Sequence, residues 1–138
     1  MAEENEYSEL SDLETVHTDD NVGSIQINNN VVANIVDMAA REVTGVYGIA
    51  SGGLRDDLKG LLGKRDTSIT VDVNAADNYV IGVKLILIFG VNLAKVATNV
   101  QNAIREQVEN MTDKEVARVN VIVDEVRHPK APEIEYED

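Results

Sequence analysis

Two histidines are the only side chains in this sequence whose ordinary pKa lies near neutral, and there is no cysteine. His17 sits in an acidic N-terminal stretch and His128 stands beside Pro129. A catalytic dyad would therefore have to be assembled from the two ends of the chain, where preorganisation is hardest to supply. The lack of cysteine removes disulfides, thiolate nucleophiles, Cys-ligated zinc and iron–sulfur ligation together. No G-x-S-x-G elbow and no H-E-x-x-H helix occurs. Asp72-x-Asn74 begins as a calcium loop begins, but the glycine and terminal glutamate such a loop requires are missing at their offsets. The residues thus predict no catalytic group, no metal site and no cofactor.

One segment has phosphate-binding character. Gly60-Leu61-Leu62-Gly63-Lys64-Arg65 combines glycines, which permit close backbone approach, with two cations. A P-loop would need glycine where Leu58 stands and Ser or Thr where Arg65 stands. The G-x-x-G of KH-type RNA clamps is present, so Gly60, Gly63, Lys64 and Arg65 are the candidate nucleic-acid contacts of an alternative function, an RNA-binding module of KH-like or ferredoxin-like type. That alternative is the weaker one. Base stacking needs aromatics, and the chain has one Phe and four Tyr, with Tyr7 and Tyr136 near its ends.

These residues must be positioned by secondary structure, and hydropathy periodicity is the guide to it. Ile25 and Ile27 alternate in a short strand that runs into Asn28-Asn29-Asn30, a helix-cap signature. Val32, Ile35, Val36, Ala39, Val43 and Val46 recur at helical spacing, with Gly45 or Gly48 expected to end the helix. Ile69, Val71 and Val73 alternate as a strand, and Asp77-Asn78 supplies a turn. Ile81, Val83, Leu85, Leu87 and Phe89 form one face of the next strand. Asn92 caps a long helix with the stripe Leu93, Val96, Val100, Ile104, Val108 and Met111, and Val119, Val121 and Val123 mark a last strand. The order predicts an α+β fold, a β-α-β-β-α-β two-layer sandwich. Its mixed sheet carries both helices on one face, with an antiparallel hairpin in the middle and a parallel pair closed by the long helix. Leu54, Leu58, Leu61 and Leu62 fall at i, i+4, i+7 and i+8, which predicts a short extra helix near 54–62 in what would otherwise be an overlong connection.

Charge is concentrated at the ends. Of 138 residues, 25 are acidic and 12 basic, giving a formal charge of -13. Residues 1–23 hold eight of the acidic side chains and no Lys or Arg, and residues 129–138 hold four against Lys130. Residues 24–128 are left nearly neutral. The expected organisation is an acidic disordered tail over 1–22, one domain over 23–128 and a second acidic disordered tail over 129–138, because neither end has the hydrophobic content to offset its ordering entropy. The first 24 residues resemble neither a secretory nor a transit signal, and the most apolar run, residues 80–91, is too short to span a bilayer. A cytoplasmic protein is expected, recruited to a membrane by something else.

What remains is surface. Lys84, Ile86, Ile88 and Ile122, with Arg118 nearby, fall on the sheet face away from the helices and would form a candidate contact patch there. Leu54, Leu58, Leu61 and Leu62 are the candidate partner contact.

Three stretches carry a resemblance: residues 23–48 (GSIQINNNVVANIVDMAAREVTGVYG), residues 89–112 (FGVNLAKVATNVQNAIREQVENMT) and residues 119–126 (VNVIVDEV). The chain resembles the alkaline-shock family of bacterial envelope stress-response proteins over residues 23–127. Asp113-Lys114 stands where that family usually has glycine and an apolar residue, and Ala94 where proline is frequent. The resemblance implies a non-enzymatic protein of cell-envelope homeostasis, abundant in some Gram-positive bacteria. It would lie at the inner face of the cell membrane, held by a small membrane-anchored protein, with self-association into a homo-oligomer.

Overall fold

The computed structural model describes residues 13–19, 22–50 and 68–129. The elements run β1 (Leu13–Asp19), β2 (Gly23–Asn28), α1 (Asn29–Arg41), β3 (Val46–Ile49), β4 (Ile69–Val73), β5 (Tyr79–Ile88), α2 (Leu93–Thr112) and β6 (Val116–Arg127). The fold is α+β: a mixed four-stranded sheet with two helices packed on one face, and a separate antiparallel hairpin of β1 and β2.

β5 is the axis of the sheet. β6 runs parallel along one side of it, from Tyr79 opposite Val116 to Ile88 opposite Arg127. Along the other side β3 pairs with Leu85 to Leu87 and β4 with Tyr79 to Val83, both antiparallel. β3 and β4 thus follow one another along a single edge. At their junction Ala50 N–H donates to the Lys84 carbonyl at 2.9 Å, while Lys84 N–H donates to the Ser68 carbonyl at 2.8 Å. One antiparallel residue would normally exchange both bonds. Here Ala50 supplies the donor and Ser68 the acceptor, and Ser68 Oγ donates to the Ala50 carbonyl to tie the two ends together. Ala50 and Ser68 are the residues on either side of the stretch 51–67, which lies outside the described residues.

The core forms because one face of β5 is apolar at every second residue. Ile81, Val83, Leu85 and Leu87 meet Val32, Val36 and Ala39 of α1 and Val96, Val100, Ile104 and Val108 of α2, all buried. Each buried Val, Ile or Leu side chain contributes about 1.5–3 kcal/mol by leaving water. The i, i+4 spacing of the α2 row places it over the sheet as one ridge. Asn92 starts that helix, its Oδ1 accepting from Lys95 N–H at 3.0 Å, and Asp113 ends it in the left-handed region with φ 60°. Asn92→Ala should lower stability by about 1 kcal/mol in urea denaturation, since it strands an orphan N–H of the first turn.

Several sequence-based expectations are corrected. The first helix ends at Arg41, leaving Val43 and Val46 outside it. Gly45 takes φ +102°, and the β-branched Val46 starts a strand because Leu87 is there to pair with it. β3 was therefore missing from the expected order, and β2, expected in the main sheet, pairs with β1 instead. β1 itself lies within the N-terminal stretch expected to be disordered. Low hydrophobicity argues against a buried core, but a hairpin can satisfy its backbone bonds pairwise, and Thr15, Val16 and Thr18 favour extended chain. The α2 stripe rolls at both ends, leaving Leu93 and Met111 largely exposed while Thr112 is buried and donates to the Val108 carbonyl. Phe89 falls past the end of β5 and is exposed. The helix expected near 54–62 lies outside the described residues.

Candidate interaction surface

The sheet face opposite the helices is read from the register. Lys84 of β5 faces Ile122 of β6, Val80 faces Arg118, and Ile88 faces Arg127. Lys84 and Ile88 are half-buried, and Ile122 is 53% exposed. Ile86 is 6% exposed, held between Gly48 of β3 and Glu125 of β6, so it offers little surface of its own. The geometry therefore sets Lys84 beside Ile122, with Arg118 four residues before Ile122 on the same face of β6, while Ile86 is sunk and Ile88 lies four residues further along β5, opposite Arg127. The leucine set Leu54, Leu58, Leu61 and Leu62, and the glycine–cation set Gly60, Gly63, Lys64 and Arg65, lie outside the described residues, in the stretch between Ala50 and Ser68.

A polar cluster unseen in the sequence closes one end of this face. The Arg127 guanidinium lies 5.4 Å from the Tyr47 ring centroid and bonds bidentately to Glu125, with Nη2 to Oε1 at 3.2 Å. The Arg127 bond holds the Glu125 carboxyl below its ordinary pKa, and Arg127 is raised in turn, first by Glu125 and then by Tyr47. Both side chains are exposed, so this pair orders the strand end and adds little stability. Residues two apart on one strand share a face, which lets Glu125 and Arg127 meet just beyond the register shift between Leu85 and Ile86. His128 packs its ring 5.2 Å from that of Phe89.

At the opposite end of the sheet Lys114 is buried, its ammonium 3.3 Å from Asp77 Oδ1 and 4.9 Å from the centre of the buried Tyr79 ring. Of Asp72-x-Asn74, Asp72 lies in β4 opposite Val80 and Asn74 opens the β4–β5 turn: its Oδ1 accepts from Ala76 and Asn78 N–H, each at 3.0 Å, which is a turn-stabilising role. Among the described residues no group of three His, Asp or Glu side chains is placed to hold a metal ion, and no helix is long and apolar enough to cross a membrane.

Fold and surface together define a small α+β domain whose distinctive exposed features are a partly apolar sheet face, strand edges and a loop neck. The chain belongs to the alkaline-shock protein family, which has a cell envelope-related function and whose model matches residues 17–128. Among its relatives, the uncharacterized protein YqhY of Bacillus subtilis is 30% identical over 128 residues, covering 91% of this chain and 94% of that protein. YloU of the same organism is 32% identical over 107 residues, covering 76% and 89%. Spy1614 of Streptococcus pyogenes is 28% identical over 115 residues, covering 82% and 95%. Solved structures of the MamM CTD align at 12% identity with a TM-score of 0.44, over 70% of this chain and 94% of that one.

Proposed function

We propose that this chain is a non-enzymatic protein of cell-envelope homeostasis that works by self-association and by docking to a small membrane-anchored protein at the inner face of the cell membrane. The observation that supports this best is the neck: Ala50 and Ser68, the residues on either side of the leucine-bearing stretch 51–67, share a single ladder position opposite Lys84. Ile122, exposed beside Lys84 and Arg118, is the second contact in this proposal.

The test is co-sedimentation of the full chain with membranes of a Gram-positive host, beside binding to protein-free vesicles of the same lipids. The expected result is recovery with native membranes and none with the vesicles. Leu58→Asp and Ile122→Lys should each lower that recovery by about tenfold, the equivalent of about 1.4 kcal/mol, with unchanged circular dichroism. Ile86→Lys is a poor substitute because it would bury a charge and test folding instead. Equal recovery on protein-free lipid, or no effect of either variant, would remove the docking mechanism.

A further inference from the structure

We propose that the outer edge of β6 pairs antiparallel with the same edge of a second copy, joining two sheets into one. This rests on the self-association in the function proposed above and adds the surface and its register. β6 spans Val116–Arg127, pairs with β5 on one side, and has no strand on its other side among the described residues. An edge of that length presents a row of backbone donors and acceptors. The other edge of the sheet is interrupted at the Ala50–Ser68 neck. On the helix side of β6 the cover thins along the strand toward its C-terminal end: Val119 is buried, Val121 and Val123 are half-buried, and Val126 is 38% exposed. A neighbouring strand would finish covering that row.

The sequence of the edge is complementary to itself. Two identical strands related by a twofold axis normal to the sheet run antiparallel. With the axis at Val121, Val119 faces Val123 of the second copy, Asn120 faces Ile122, and Arg118 faces Asp124, so one Arg–Asp pair closes each end of the shared segment. Opposite charges directly across an antiparallel pair stabilise it, and like charges destabilise it. Asp124 is the extra residue at the β5–β6 register shift, so its side chain is not fixed by a partner on β5, and both it and Arg118 are exposed.

Sedimentation equilibrium of the full chain over a concentration series tests this. The expected result is a dimer, with Arg118→Asp and Asp124→Arg each raising Kd by about tenfold or more and the double variant returning to within about threefold of the parent, because the reversed charges face one another again. A dimer whose Kd neither single variant changes, or a double variant no better than the singles, would overturn the β6 edge and leave self-association standing. A monomer at every concentration would remove both.

Discussion

Excising residues 51–68, so that Ala50 is followed directly by Ile69, should yield a folded protein that no longer binds the membrane-anchored partner proposed above. The expectation comes from one ladder position. Lys84 receives its N–H donor from Ala50 and gives its own N–H to Ser68, so a single residue in that place can make both bonds. Ile49 opposite Leu85 and Ile69 opposite Val83 are then already in register for one continuous edge strand. Shortening the connection between β3 and β4 also lowers the entropy lost on closing it, so stability should hold or rise by about 1–2 kcal/mol. Thermal unfolding followed by circular dichroism measures the first half of the expectation, and membrane co-sedimentation, expected to fall more than about tenfold, measures the second. An unfolded product would mean that β3 and β4 need the connection between them. A folded product with full recovery would show that the leucines at 54, 58, 61 and 62 are not the docking contact.

Gly45→Ala should cost about 2–4 kcal/mol, close to what a small domain can lose before it unfolds. Two effects act at once. The backbone at Gly45 has φ +102°, which side-chain-bearing residues rarely adopt, and an ideal Cβ there would stand 2.8 Å from Val96 Cγ2. That methyl belongs to the buried ridge of α2, so relief requires moving the helix or rotating a packed valine. In urea denaturation, combining Gly45→Ala with Val96→Ala should cost less than the sum of the two by about 1 kcal/mol, because the clash is gone and only the backbone strain and the cavity remain. Strict additivity would place the whole effect in the backbone.

Sequence alone shows most of the two-layer body, because its signals are local. Alternation in 69–73 and 81–87 sets which face of the hairpin is buried, Asn28 and Asn92 mark the helix starts, and the i, i+4 valines of α2 identify its packed side. The parallel pairing of β5 with β6 follows from the helix that connects them. The family resemblance read from residues 23–48 and 89–112 agrees with the family match over residues 17–128.

The errors fall where a second segment decides the outcome. Val43 and Val46 fit a helical period as well as α1 does; only the free edge of β5 at Leu87 draws Val46 into a strand. Ile86 looks like its alternating neighbours Lys84 and Ile88, yet three adjacent strands bury it while Ile122, on an edge, remains exposed. Lys114 departs from the family pattern as an apparent surface cation, but the β4–β5 turn brings Asp77 and Tyr79 under it from 37 and 35 positions away, and it is buried. Periodicity along a chain fixes how an element presents its faces, since that depends on neighbours a few residues distant. Which of those faces are covered, which edge stays open and where a loop is tied off depend on contacts between distant residues, and these exist only once the sheet has closed.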